Sequence, residues 1–138
     1  MGAPVDRATT IVSFKGNDSL SAYRIVRPTG TPNQVALYDT TTSLILGVTT
    51  QDCVKSDAAA AVAINGTCRV ICAASVSCGA LLKPEAATTS GFAVESANSY
   101  SNTAASLQPK TLGIALNAGS TNTVIEVLLM INNISKIG

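Results

Sequence analysis

Apolar and polar residues alternate along most of this chain in short runs, punctuated by clusters of glycine, proline, asparagine, serine and threonine. In residues 20–26 (LSAYRIV), Leu20, Ala22, Arg24 and Val26 fall on one face of an extended chain and Ser21, Tyr23 and Ile25 on the other. Period-two alternation is the mark of a β-strand. Strands are likewise expected at 34–38 (QVALY), 44–50 (LILGVTT), 80–83 (ALLK), 91–95 (GFAVE), 111–116 (TLGIAL) and 123–131 (TVIEVLLMI). Turn clusters separate them at 28–33 (PTGTPN), 39–43 (DTTTS) and 117–122 (NAGSTN). Turn signals returning about every eight to twelve residues point to an all-β sandwich or barrel. The alanine run 58–61 favours helix by composition, but it is too short to sustain one, and Val62-Ala63-Ile64 pulls it toward strand. The expected fold is all-β: a small antiparallel β-sandwich or barrel with an extended N-terminal arm.

Residues 1–19 read as that arm. Their first part is irregular, 9–14 (TTIVSF) is β-prone, and Lys15-Gly16-Asn17-Asp18 is a turn cluster. The alternative is an ordinary edge strand. Residues 20–138 read as one β domain. Within it Asn65-Gly66 lies between two apolar β-type runs. That pair suits a type I′ turn, in which both central residues take positive φ, so 61–65 and 67–73 are expected to form a hairpin. Residues 123–131 make the longest expected strand, nearly apolar on both faces, which predicts burial on both sides, either by the domain or by a neighbouring subunit.

One pattern recurs at long range. Leu46-Gly47-Val48-Thr49-Thr50 returns sixty-six residues later as Leu112-Gly113-Ile114-Ala115-Leu116, and a loop and a second β-type run follow each copy. Glycine inside a strand marks a bulge or a close backbone approach. Either two bends in one sheet resemble each other by coincidence, or Gly47 and Gly113 bend equivalent strands of a pseudo-symmetric small barrel.

Composition narrows the function. With no histidine, the commonest general base and metal ligand are both missing. The eight carboxylates are dispersed, and no phosphate-binding glycine motif is present. The chain therefore reads as non-enzymatic, with no catalytic residue and no cofactor. A net charge of +1 with scattered Lys and Arg makes no electrostatic case for nucleic acid. Mean hydropathy is positive, yet no apolar run approaches the roughly 20 residues of a membrane-spanning helix, so no membrane partner is expected. The first fourteen residues lack the apolar core of a signal peptide.

The four cysteines, Cys53, Cys68, Cys72 and Cys78, are expected as free thiols that pack as small apolar groups. Cys68 and Cys72 point the same way on one strand but stand too far apart for a disulfide. Their spacings are not those of a zinc knuckle, so no metal site is expected. Apolar side chains are then the candidates for contact with a partner. Val5, Ile11, Val12 and Phe14 in the arm are the candidate contacts. Val124, Val127, Leu129 and Ile131 are candidates for the core or an oligomer interface. Gly47, Gly113, Asn65 and Gly66 are structural candidates.

The order of these signals resembles a known group. A β-prone arm is followed by Tyr23-Arg24-Ile25-Val26, Gly47-Val48-Thr49, an alanine-rich loop, Val62-Ala63-Ile64-Asn65-Gly66 and a cysteine- and alanine-rich strand. Then come Gly79-Ala80-Leu81-Leu82-Lys83-Pro84, Leu112-Gly113-Ile114-Ala115-Leu116, a Gly-Ser-Thr-Asn turn and Val124-Ile125-Glu126-Val127. Over residues 9–131 the series resembles the capsid decoration, or cement, proteins of tailed phages, small head proteins often mislabelled as recombinase-like. The resemblance implies a mainly β protein made in the host cytoplasm and carried on the outer capsid surface of the virion. It implies the major capsid protein as partner, self-association as a homotrimer or a dimer, and a role in bridging shell subunits against internal DNA pressure. The low charge and the four cysteines depart from many relatives. Other readings are a different virion module, such as a tail or fibre head, and a carbohydrate-binding β domain.

Overall fold

The computed structural model describes residues 9–39, 44–85, 90–96 and 110–133. They form nine strands and no helix: β1 (Thr9–Gly16), β2 (Ile25–Pro28), β3 (Gln34–Leu37), β4 (Gly47–Thr49), β5 (Ala59–Ile71), β6 (Leu81–Glu85), β7 (Phe92–Glu95), β8 (Thr111–Ala115) and β9 (Val124–Asn132). The sheet order is β1-β3-β2-β4-β5-β9-β8-β6-β7, and β1 also pairs with β5.

This sheet closes on itself twice. β1, β5, β4, β2 and β3 are joined by antiparallel pairings. The ring then closes where β1 and β3 run parallel, Lys15 opposite Gln34 and Gly16 opposite Val35. A second ring takes the C-terminal part of β5 with β9, β8, β6 and β7. It closes through a parallel bridge between Cys72 and Ala93, where the Ala73 N–H donates to the Ala93 carbonyl at 2.9 Å. The all-β expectation holds, with a mixed rather than purely antiparallel sheet. The reason is arithmetic: a closed ring of five strands cannot alternate direction throughout, so one neighbouring pair must be parallel.

The two barrels are copies of one plan. Leu20 and Cys53 exchange backbone hydrogen bonds at 2.8 and 2.7 Å, as Val76 and Gly119 do at 2.9 Å each. The Tyr23 N–H donates to the Thr49 carbonyl, and the Gly79 N–H to the Ala115 carbonyl, both at 2.8 Å. Left-handed backbone recurs in step at Tyr23 and Gly79, at Asn33 and Gly91, and at Asp57 and Asn122. The Leu-Gly-Val/Ile repeat is thus one strand of a whole-barrel duplication. The runs after it align as Ala61 with Glu126, because these two carbonyls accept the equivalent N–H groups of Thr50 and Leu116.

Two expectations of local structure are corrected. Asn65-Gly66 does not turn the chain. β5 continues through it, and only Gly66 takes positive φ, at 88°. A type I′ turn needs both residues there; one left-handed glycine gives a kink instead. At that kink the closing strand of the first barrel becomes the opening strand of the second. Nor is 20–26 one strand: Tyr23 has φ 65°, so Leu20 makes an isolated bridge and β2 begins at Ile25.

Each barrel has its own core. Leu20, Val26, Val35, Cys53, Ala60 and Val62 fill the first, with Phe14 packed against them. Their counterparts Val76, Leu82, Ala93, Ile125 and Val127 belong to the second cluster. That cluster also takes in Ile25, Tyr38, Ile45, Val48 and Ala63 from the first barrel, so the two barrels are sealed together.

Candidate binding surface

Among the described residues, no group of three or more His, Cys, Asp or Glu side chains could hold a metal ion. All four cysteines are free, with Cys53 and Cys72 buried, Cys68 half-buried and Cys78 exposed. Burial pushes the Cys68 thiol up to about 12 and raises Cys72 as well, which is the reverse of what a nucleophilic thiolate requires. The pair Asp52 and Asp57 is spent on structure. Asp52 accepts the Ala22 N–H at 2.7 Å, and Asp57 occupies a left-handed turn whose N–H donates to the Gly16 carbonyl at 2.9 Å.

The polar side chains that are held firmly serve the frame. The buried Thr49 hydroxyl accepts the Arg24 N–H at 3.0 Å and donates to the Ser21 carbonyl at 2.8 Å. The Arg24 guanidinium donates to the Ala22 carbonyl at 2.9 Å and stands 4.6 Å over the Phe92 ring. Burial lowers the Arg24 pKa from its ordinary value and Asp52 partly restores it. Among the described aromatic residues, Tyr23 is half-buried. Tyr38 is buried, Phe14 packs on the first core and Phe92 lies under Arg24. Tyr100 lies outside the described residues.

What the surface offers is apolar area. Val124, Leu128 and Met130 are exposed on one side of β9, and Ile11 is exposed on β1. A groove of about 310 Å³ opens at one end of the first barrel, between Phe14, Leu46, Pro28 and the 29–34 turn. It has no charged side chain, so it can hold a partner's apolar group but not direct a reaction.

The candidate residues scatter across these roles. Val5 lies outside the described residues. Ile11 is 52% exposed, Val12 half-buried, and Phe14 packs against the first core. Val127 and Leu129 are core, Ile131 packs against it, and Val124 is on the opposite side and exposed. Within one chain, then, the domain buries only one face of β9 and leaves the other open. Leu128 and Met130 were not singled out in the sequence, although strict alternation from Val127 places them on the open face.

Gly47 and Gly113 both sit where backbones crowd. A Cβ on Gly47 would strike the Ala63 carbonyl, and one on Gly113 the Leu128 carbonyl. Neither has positive φ; they are needed for close approach to the closing strand.

No protein family matches the chain, and no curated protein matches it either. A solved structure does. The chain superimposes on the N base of the head fiber gp8.5 of bacteriophage phi29, covering 95% of this chain and 99% of that one, with a TM-score of 0.62. The two share one fold. Sequence identity is 14%, so the likeness lies in the backbone plan rather than in particular side chains.

Proposed function

We propose that this chain is a structural protein of a tailed-phage virion, a decoration or cement protein that binds the outer surface of the assembled head. The observation that supports this is the end-to-end likeness to a head-fibre base, with nearly all of both chains superimposed. The exposed apolar side chains on β1 and β9 fit a binding role.

The mechanism is linkage. A protein that binds the assembled shell but not its free subunits stabilises the shell by mass action. Apolar area removed from water contributes about 25 cal/mol per Å² before the costs of association. Copies that bridge neighbouring major capsid protein subunits also raise the number of contacts that must break together under internal DNA pressure. Residues 1–8 with Ile11 are the proposed shell contact.

The test is direct. Purified protein is mixed with expanded heads that lack it, and bound copies are counted on gels of the washed particles. Hundreds of copies per head, and heads that resist heat better, are expected. Absence of binding to intact shells sinks the proposal. Removing residues 1–8 should weaken binding while both barrels stay folded. Removing residues up to 14 would take out most of β1, a stave of the first barrel, and would not test the arm.

A second reading, the base of a fibre, is favoured by the likeness to the phi29 head-fiber base. A map of decorated heads separates the two: a fibre base carries density projecting beyond the two barrels, and a cement protein ends with them.

A further inference from the structure

The two barrels are equivalent in plan but not equally covered. In the first, Ile25, Val48 and Ala63 are cross-strand neighbours on β2, β4 and β5, and each is 0% exposed. Their strand neighbours Val26 and Val62 belong to the first barrel's own core, so this row lies on the barrel's outer face. The second barrel seals it. The Ile25 N–H donates to the Gly91 carbonyl at 2.7 Å, the Gly91 N–H to the Tyr38 carbonyl at 3.0 Å, and the Ile71 N–H to the Tyr23 carbonyl at 3.0 Å.

The same row in the second barrel is Leu81, Ile114 and Leu128, on β6, β8 and β9. It is as apolar as its counterpart and its side chains are larger. Yet Leu81 and Ile114 are only half-buried and Leu128 is 37% exposed. Beside it stands Ser96, the counterpart of Tyr38: its N–H donates to the Leu81 carbonyl at 2.7 Å as the Tyr38 N–H does to the Ile25 carbonyl at 3.0 Å. Ser96 is buried, and its hydroxyl has no hydrogen-bond partner. Among the described residues no turn enters there as Gly91 enters beside Tyr38.

We propose that this row is the seat for the first barrel of a second copy of this chain, in a head-to-tail contact that follows the packing of the second barrel on the first, without the crossing bond of Ile71, whose counterpart Lys15 N–H donates to the Asn33 carbonyl at 2.8 Å within its own barrel. The molecule already contains a barrel of this plan docked on a row of this kind. The element that docks is the turn at Gly91, with φ 80°; its counterpart is the turn at Asn33, with φ 59°, which is exposed on the first barrel. β5 adds a second argument, since it carries the closing strand of one barrel directly into the opening strand of the next. The same operation between copies sets the start of β1 beside the end of β9. Such a contact uses different surfaces on its two sides, so it builds a ring when the rotation closes and a filament when it does not. It rests on the internal duplication and not on the virion reading, and either can fail alone.

Sedimentation of the full chain tests it. The wild type should form species larger than a monomer, at concentrations up to about 1 mM, where even contacts of millimolar Kd assemble. Leu128→Asp spoils the seat. Asn33→Asp with Gln34→Glu spoils the turn that enters it. Each variant alone should sediment as a monomer with a cooperative melt. An equimolar mixture should form a dimer and nothing larger, because one intact turn meets one intact seat. Should Leu128→Asp not fold, Met130→Asp on the same open side of β9 replaces it. A monomeric wild type, variants that still assemble, or a mixture that stays monomeric would each overturn the proposal.

Discussion

The sulfur of Cys53 lies where a side chain on Gly16 would begin. A Cβ built on Gly16 would stand 2.7 Å from Cys53 Sγ. In the second barrel the positions are exchanged: Cys72 is the counterpart of Gly16 and Gly119 that of Cys53, and a Cβ on Gly119 would stand 3.3 Å from Cys72 Sγ. Each barrel thus sets one thiol against the same hole, from opposite walls, and in the second barrel Ile125 Cγ2 at 2.5 Å and Thr123 Oγ1 at 2.8 Å lie closer still to that Cβ. This accounts for two of the four cysteines as packing groups.

A double-mutant cycle follows from that exchange. Cys53→Ala should cost about 1–2 kcal/mol by leaving a small cavity. Gly16→Ala should cost more in the wild type than in the Cys53→Ala background, because the sulfur it strikes is gone. Urea unfolding of the four proteins should give a coupling of roughly 0.5–3 kcal/mol, the range for residues in contact. Additive effects would show that the contact is not strained as described.

Asn133 ties the end of β9 to the first barrel. Its side-chain carbonyl accepts the N–H of buried Ile45 at 2.7 Å and its amide donates to the Ile45 carbonyl at 3.0 Å. Asn133→Ala should cost about 1–3 kcal/mol, because it strands a buried backbone group. A fall of several degrees in Tm by calorimetry is expected; an unchanged Tm would mean water replaces the pair.

Gly113→Ala should be among the most damaging single changes. Its Cβ would fall on the Leu128 carbonyl, so β8 and β9 must part. A loss of more than about 3 kcal/mol, or insolubility, is expected, with Gly47→Ala behaving alike. A soluble Gly113→Ala of wild-type stability by urea titration would show that the strands do not approach as closely as described.

The thiols should separate by reactivity. At pH 8 a disulfide reagent should modify Cys78 fast, Cys68 slowly, and Cys53 and Cys72 only on unfolding. Cys68 also gives stability a pH dependence. Its thiol stays protonated in the fold up to about 12, against 9.0 for the ordinary group. Between those values the unfolded chain binds fewer protons than the folded one, so the stabilising contribution present below pH 9 is lost as pH rises toward 12. Cys68→Ala should flatten the alkaline arm of a stability–pH curve; an unaltered slope would refute this.

Much of the fold was legible in local pattern. Alternation and turn residues marked most of the strands, because a strand's two faces and its ends are decided by neighbours a few residues apart. The Leu-Gly-Val/Ile repeat pointed to equivalent strands. Asn65-Gly66 misled, because the same dipeptide serves a hairpin or a kink, and the strands that flank it decide which. Nothing local showed that β1 and β9 both pair with β5, or that the barrels are five-stranded and so carry a parallel contact each.

The candidate surface was legible only in part. The lack of histidine could be read from residue types alone, since none in the chain means none in any fold. Phe14 and Val127 looked as apolar as Ile11 and Leu128, yet the first pair is packed and the second exposed. By itself the sequence determined an all-β, aliphatic, histidine-free chain with a repeated strand, because strand propensity and composition are properties of short segments. Only the tertiary structure decided that the repeat is a whole barrel and that Ile25, Val48 and Ala63 are fully covered while Leu81, Ile114 and Leu128 are covered only in part. Burial depends on what the rest of the chain brings to a surface, and residues more than sixty positions apart settle that.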